Sequence, residues 1–101
     1  MATIAWTVEA ENWLKRIHAY IAQDSPNTAN KVIGDIYRKA QLLENFPEIG
    51  YQYRKESEGE IRILLYGHYR IAYLIKDRQQ IDILGVFHGA MNIENYLDFI
   101  G

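Results

Sequence analysis

The side chains best suited to chemistry in this sequence are two arginines and one histidine in its second half, Arg62, Arg70 and His88. Arginine forms paired hydrogen bonds with anionic groups, and histidine exchanges protons near neutral pH. Together they could support general acid–base and electrostatic chemistry. The structural alternative is equally simple: Arg70 can stabilise the sheet or pair with Asp82, and a histidine at a strand end commonly bonds the backbone.

No metal site and no cofactor are expected. The chain contains no cysteine, so it has neither disulfides nor thiolate ligands. Its three histidines are His18, His68 and His88, and they are dispersed along the sequence. We expect His18 on the polar side of a helix and His68 in a turn, which leaves no constellation of metal ligands.

Composition and charge restrict the class of protein. A length of 101 residues predicts one domain, covering residues 1–101, and 49% hydrophobic with 24% charged residues is typical of a globular protein. The formal net charge of −2 weighs against a dedicated nucleic-acid binder, although it does not exclude a local basic patch. The N-terminus lacks a signal-peptide pattern and no stretch reaches about 18 apolar residues. We therefore expect a cytoplasmic protein with no membrane partner.

The first half of the chain predicts a short strand and two amphipathic helices. A β-like run covers residues 3–7, and Thr7 is placed to cap the helix that follows. Ser25 before Pro26 predicts the start of a second helix, because proline's missing N–H costs nothing at the first helical position. Residues 45–47 end it with a proline. Apolar side chains recur at steps of three and four in both segments, so a helical hairpin is expected.

The second half of the chain predicts an antiparallel sheet. Residues 48–59 are polar and contain glycine, which indicates a loop, and three β-rich runs follow. The runs cover residues 61–66, 69–76 and 81–88. A last apolar stripe, with Ile93, Tyr96, Leu97 and Ile100, suggests a short C-terminal helix. This order predicts an α+β fold, β-α-α-β-β-β, with the helical hairpin packed on one face of the sheet.

Matching apolar residues across neighbouring strands predicts the register of the sheet. The predicted pairs are Leu65 with Tyr69, Ile75 with Ile83 and Arg70 with His88, with Tyr66-Gly67-His68 and Arg78-Gln79-Gln80 as turns. One face then packs against the helices. The second face is predicted to carry Arg62, Arg70, Asp82 and His88 among Leu64, Ala72, Leu74, Leu84 and Val86. Because continuous apolar patches are rarely left in water, we expect the C-terminal helix or another protein chain to cover it.

Six segments of the chain occur in the order found in one known family. They are Trp6-Thr7 with Trp13-Leu14, Asp24-Ser25-Pro26, Leu43 through Pro47 to Gly50, Ile61-Arg62-Ile63-Leu64, Tyr69-Arg70-Ile71-Ala72-Tyr73, and Ile83 to Ala90. In these segments the chain resembles the RelE/ParE superfamily of bacterial type II toxin–antitoxin toxins, and the last segment is especially similar to ParE-type sequences. The resemblance covers almost the whole chain and implies the family's fold and a toxin of a plasmid-stabilising system.

The resemblance implies one of two activities. ParE-like toxins act on DNA gyrase, whereas RelE-like toxins cut mRNA in the ribosomal A site. Against RelE-like cleavage, residues 61–73 contain no lysine, Gly89 and Ala90 follow His88 with no arginine, and the chain is acidic. We therefore favour a ParE-like gyrase inhibitor, which binds a protein and is not an enzyme. A RelE-like mRNA endonuclease and a degenerate member that only binds its antitoxin are the alternatives.

The resemblance also suggests site residues and partners. Arg62 and Arg70 would bind the target, and with His88 they would be catalytic only in a RelE-like enzyme. The apolar groove for a helix or strand of the antitoxin would be formed by Leu64, Leu74, Leu84 and Val86. The expected partners are a cognate antitoxin and DNA gyrase, with the ribosome and mRNA as the alternative target. Either a homodimer or a toxin–antitoxin hetero-oligomer is compatible with the sequence.

Overall fold

A computed structural model describes residues 1–77 and 79–97 of the chain. Its elements are β1 (Thr3–Trp6), α1 (Val8–Ala22), α2 (Pro26–Gln41), a 3-10 turn (Leu42–Glu44), β2 (Tyr51–Glu56), β3 (Gly59–Tyr66), β4 (Tyr69–Asp77), β5 (Gln80–His88) and α3 (Glu94–Leu97). The predicted α+β fold, its helical hairpin and its C-terminal helix are confirmed. Ile100, predicted to extend that helix, lies outside the described residues.

Both predicted helix starts are confirmed. The Thr7 hydroxyl accepts a hydrogen bond from the Ala10 amide at 3.1 Å and donates to the Ile83 carbonyl at 2.7 Å. The Ser25 hydroxyl accepts from the Thr28 amide at 3.2 Å, and a proline occupies the first turn of α2. Each cap satisfies an amide that the helix itself leaves unpaired. Through its second bond, Thr7 also fixes the start of α1 to β5.

The five strands form one sheet in the order β1-β5-β4-β3-β2. β1 runs parallel to β5, and the other neighbouring strands are antiparallel. The helices cover one side of this sheet. The buried residues on that side form the helix-side core, which contains Ala2, Ala10, Leu14, Ile36, Ala40, Leu43, Leu64, Ile71, Tyr73, Ile81, Ile83 and Val86.

The loop predicted for residues 48–59 is wrong in part, because Tyr51–Glu56 form the edge strand β2. An edge strand in solvent often carries charged side chains, which reduce unwanted pairing with other strands. The charges of this segment therefore concealed a strand. Its signal is the alternation of Tyr51 and Tyr53, and Tyr53 packs against the apolar residues on the side of the sheet opposite the helices.

The predicted register of the β3–β4 hairpin is wrong by one residue. Tyr66 pairs with Tyr69, so the turn has two residues and includes Gly67 at φ +55°. Leu65 consequently lies opposite Arg70. The prediction placed Ile61 and Ile63 of β3 on the same face as Ile71 of β4, whereas in the structure they are buried on opposite faces of the sheet.

The predicted register of the β4–β5 hairpin is also wrong. The observed pairs are Ile75 with Ile81, Arg70 with Phe87, Tyr69 with His88, Ala72 with Gly85 and Tyr73 with Ile83. Leu84 is left as the extra residue of a β-bulge, which changes the alternation of faces along β5. Gln80 of the predicted turn belongs to β5, and Arg78 lies outside the described residues.

Candidate functional site

A second apolar core covers the side of the sheet opposite the helical hairpin. This far-face core consists of Ile61, Ile63, Ala72, Leu74, Leu84, Phe87, Ile93 and Leu97. Ile93 and Leu97 come from the C-terminal segment, so α3 and the residue before it cover the strands. Of the two covers expected for this side of the sheet, the C-terminal helix or another protein chain, the structure shows the C-terminal helix.

Three aromatic rings hold α1, β5 and α3 together. The Phe87 ring lies 5.0 Å from the Trp13 ring and 5.5 Å from the Tyr96 ring, measured between centroids. Trp13 and Tyr96 meet edge to face at 5.0 Å, so each ring contacts both others. A Cβ on Gly85 would lie 2.5 Å from the Phe87 ring. Glycine at that position therefore makes room for the ring to lie flat on the strand.

Arg70 lies on the same far face and binds the segment between β5 and α3. One guanidinium nitrogen donates to the Met91 carbonyl at 2.5 Å and to the Gly89 carbonyl at 3.3 Å. The Nε atom of Arg70 is buried and has no partner within the described residues. These bonds fix the path of the chain towards α3, which supports the structural interpretation of this arginine.

Glu94 connects the first turn of α3 to the edge strand β2. It accepts a hydrogen bond from the Tyr53 hydroxyl, and this bond, with a smaller contribution from burial, raises the pKa of Tyr53. Arg54 lies 3.5 Å from Glu94 and also donates to the Leu97 carbonyl at 3.4 Å. Because its described part, Glu94–Leu97, is a single turn, α3 depends on such contacts and on the apolar face beneath it.

Arg62 lies on the helix side of the sheet, where it pairs across the strands with Tyr73. It donates to Glu60 at 2.5 Å and to the Gly50 carbonyl at 2.8 Å. The buried Tyr73 hydroxyl donates to the Pro47 carbonyl at 2.7 Å and accepts from the Gly50 amide at 3.0 Å, and burial raises the pKa of this tyrosine. Arg62 and Tyr73 thus fix the connection between α2 and β2.

His88 lies at the end of β5 beside two other rings. Its ring centroid is 5.8 Å from that of Tyr69 and 6.2 Å from that of His68. Nδ1 of His88 accepts a hydrogen bond from the Ala90 amide at 3.2 Å. In the neutral ring the proton must therefore be on Nε2.

A cleft of about 550 Å³ opens between α1, β5 and α3. It is lined by Thr7, Glu9, Asn12, Trp13, Arg16, Leu84, Phe87 and Tyr96. The guanidinium of Arg16 lies 4.9 Å above the Trp13 ring, close enough for a cation–π contact. This cleft was not predicted from the sequence. The available signal was the spacing of Trp13 and Arg16, which places them on neighbouring positions of one helix face.

Comparison with known proteins identifies the family. The family model described as the ParE toxin of the type II toxin–antitoxin system parDE matches residues 4–93. The chain belongs to the ParE toxin family. Candidate toxin Y4kP of Sinorhizobium fredii is 34% identical over 85 residues, which cover 84% of this chain and 85% of that protein. A chain from the solved structure of a chromosomal ParDE toxin–antitoxin system of P. aeruginosa has the same fold, with a TM-score of 0.68 and 24% sequence identity. The match covers 87% of this chain and 96% of that chain.

In this ParE-family toxin, the three residues considered for catalysis are not brought together. Arg70 lies on the far face, whereas Arg62 and His88 lie on the helix side. Tyr66, Tyr69 and His88 lie side by side on β3, β4 and β5, and Tyr66 is four residues along β3 from Arg62. Arg62 and His88 are therefore separated along the strand direction by those four residues. That separation is about 13 Å, since a strand rises about 3.3 Å per residue. Within the described residues, no group of three side chains suited to holding a metal ion is present.

The four residues predicted to form one antitoxin groove divide between the two cores. Leu64 and Val86 belong to the helix-side core of the ParE-family fold, and Leu74 and Leu84 belong to the far-face core. The shifted register and the bulge at Leu84 cause this division. None of the described helices is sufficiently long and apolar to span a membrane.

Proposed function

We propose that this ParE-family toxin inhibits growth by binding DNA gyrase, without catalysing a reaction of its own. The separation of Arg62, Arg70 and His88 is the observation that supports this proposal most strongly. Cutting a phosphodiester needs proton-transferring and charge-stabilising groups around one scissile bond. A toxin that acts by binding a protein has no such requirement, because contact residues can be spread over a surface.

Arg62 and Arg70 contribute to target binding, in this proposal, by positioning two segments of backbone. Arg70 fixes the residues between β5 and α3, and Arg62 fixes those before β2. The neighbouring cleft presents Trp13, Arg16 and Tyr96, and aromatic and arginine side chains dominate the energetics of many protein interfaces. Target binding therefore depends on the shape that the two arginines hold, in addition to their charge.

Substitution of either arginine tests this positioning role. We expect Arg70→Ala and Arg62→Ala to raise the concentration of toxin needed for half-inhibition of gyrase by about tenfold or more, equivalent to about 1.4 kcal/mol. Arg70→Lys should lose most of this activity too, because a lysine keeps the charge without the planar fork of donors. The measurement is a titration of purified variants in a supercoiling assay.

Lys15→Ala is the matched control, since it removes an exposed cation of α1 that takes no part in the contacts of either arginine. It should inhibit gyrase like the parent protein. Circular dichroism and thermal unfolding of every variant would show that the fold is retained. Full inhibition by a folded Arg62→Ala, Arg70→Ala double variant would contradict a role for either arginine.

A cognate antitoxin, we further propose, neutralises the toxin by binding the far-face core at Leu74 and Leu84, forming a hetero-oligomer. These leucines are 5% and 4% exposed beneath the C-terminal segment. An antitoxin helix or strand reaches them only where α3 moves away. The described part of α3 is a single turn, which is too short to be stable alone, so displacing that turn costs little beyond its contacts through Glu94 and the aromatic rings.

Hydrogen exchange of the C-terminal amides tests this antitoxin site. In the free toxin the Tyr96 and Leu97 amides donate to the Ile93 carbonyl at 2.9 and 3.0 Å. We expect both amides to exchange faster in the complex with the antitoxin encoded beside the toxin, while Ile36 in α2 stays protected. Unchanged or slower exchange at Tyr96 and Leu97 in a formed complex would place the antitoxin elsewhere.

A further inference from the structure

β1 presents an open edge of main-chain hydrogen-bonding groups. In a parallel pair only alternate residues of a strand bond to their neighbour. The Thr3 and Thr7 amides donate to carbonyls of the β5 side at 2.6 and 3.2 Å, so the amides and carbonyls of Ile4 and Trp6 point away from the sheet. Within residues 1–77 and 79–97, these outward groups have no partner.

The first position of this outward row is already used by the chain itself. The Ala2 amide donates to the Glu44 carbonyl at 2.8 Å, at the end of the 3-10 turn after α2. Ile4 and Trp6 supply the next outward positions. A partner backbone that paired with them would therefore continue a row of bonds that Glu44 begins.

The two edges of the sheet differ in their protection against pairing. At the β2 edge, a bulge interrupts the register between Gln52 and Arg54, and charged side chains follow at Arg54, Lys55 and Glu56. Bulges and charges are the usual devices that prevent strand addition. β1 has the sequence Thr-Ile-Ala-Trp, which contains no charge and no proline, and its pairing with β5 is regular. The β1 edge is therefore the one suited to adding a strand.

A cavity of about 250 Å³ lies beside the open edge. Its walls are Ile4, Trp6, Tyr37, Gln41 and Glu44, and the Trp6 and Tyr37 rings are 4.5 Å apart. This volume is below the roughly 300–1,000 Å³ of typical small-molecule sites, so it suits an inserted side chain better than a cofactor. An apolar side chain on an added strand would project into it.

The charge around this cavity indicates the kind of partner. Glu44 lies in its wall, and the Tyr37 hydroxyl donates to Glu11 at 2.9 Å, which brings a second carboxylate close. None of the cavity's described lining residues is basic. A second copy of this chain would bring the same acidic side chains against one another. A different chain with lysine or arginine beside its apolar residue would complement them.

We propose that the β1 edge binds an extended, basic and apolar segment of a different protein chain by strand addition. Its backbone pairs with Ile4 and Trp6, one apolar side chain fills the cavity, and flanking cations approach Glu44 and Glu11. Main-chain bonds supply affinity in this mode, and the pocket supplies specificity. The β1 edge is distinct from the far face, and binding there does not require gyrase to be the target of the toxin.

Nuclear magnetic resonance of the ¹⁵N-labelled full chain tests the proposal, with a peptide of alternating lysine and valine as the probe. We expect the Ile4 and Trp6 amides to become protected from exchange. The indole N–H signal of Trp6 should shift while that of Trp13, whose ring packs against the far-face core, does not. A peptide of alternating glutamate and valine, and a lysine–valine peptide N-methylated along its pairing edge, should each bind at least about tenfold more weakly.

Matched charge reversals complete the test. Glu44→Lys should weaken binding of the lysine–valine peptide by about tenfold or more, whereas Glu58→Lys, the same change in the exposed β2–β3 turn, should leave it unchanged. Absence of binding, equal loss in both variants, or shifts at β2 in place of β1 would overturn the proposal. Concentration-dependent protection of Ile4 and Trp6 without peptide would identify a second copy as the occupant and would overturn it as well.

Discussion

Replacement of Phe87 by alanine is expected to lower the free energy of unfolding by about 3–5 kcal/mol. The side chain is 1% exposed and contacts aromatic rings from α1 and α3, so its loss leaves a cavity where three elements meet. Part of the cost is the lost ring pairs with Trp13 and Tyr96, worth about 0.5–1.5 kcal/mol each. Urea titration monitored by circular dichroism measures the change.

Leu65→Ala is the matched control for Phe87→Ala. Leu65 lies on the same far face but is 55% exposed, so its truncation should cost less than about 1 kcal/mol. A small loss at Phe87, or equal losses at the two positions, would show that the aromatic cluster does not hold α3 on the sheet. Because the ring also lines the cleft, we expect Phe87→Ala to weaken gyrase inhibition even below its unfolding temperature.

Gly59→Ala is expected to cost about 3 kcal/mol or more, through backbone strain and overpacking together. Gly59 has φ +155°, and an added Cβ would lie 1.9 Å from the Ile75 carbonyl oxygen. Since the obstacle is backbone, it cannot be relieved by rotating a side chain. Thermal unfolding of the variant should show the loss as a marked fall in Tm.

Gly67→Ala provides the comparison for Gly59→Ala. Gly67 also has a positive φ, +55°, but no atom lies within 4 Å of the added Cβ. This change should therefore cost only the left-handed conformation, about 1–2 kcal/mol. If the two glycine variants lost the same stability, the close approach of β3 to Ile75 would not be the cause of the larger effect.

Local signals in the sequence predicted the helices well. Thr7 and Ser25 cap their helices as expected, because the chemistry of a cap is complete within four residues of chain. The three strands β3, β4 and β5 were also predictable, because their segments are rich in β-branched and aromatic residues. The edge strand β2 was not, because half of its surface faces solvent and its charges resemble those of a loop.

The register of the strands could not be obtained from the alternation of apolar residues alone. The prediction assigned Leu64 to the second face and Ile61 and Ile63 to the helix side, and the structure reverses both. With apolar cores on both faces, either register buries apolar residues, so the pattern does not choose between them. Near the turn, Ile75 pairs with Ile81 and not with Ile83, a shift of two residues from the prediction, and the bulge at Leu84 recovers one of them, so that Phe87 lies opposite Arg70. The bulge itself leaves no trace in hydrophobic alternation.

The predicted site shared this weakness because it depended on the register. Arg62 and Arg70 were assigned to one face as target-binding residues, and their partners in the structure are backbone carbonyls on opposite sides of the sheet. The family, in contrast, was evident from short segments in the correct order. Sequence therefore identified the toxin fold while leaving the placement of its charged side chains to the structure.

Inhibition of DNA supercoiling by purified, antitoxin-free protein is the most direct test of the proposed mechanism. We expect gyrase to be inhibited with accumulation of cleaved DNA, while mRNA in a translating extract stays intact at the same toxin concentration. Unimpaired supercoiling in the presence of demonstrably folded protein, together with ribosome-dependent mRNA cleavage, would contradict the proposal.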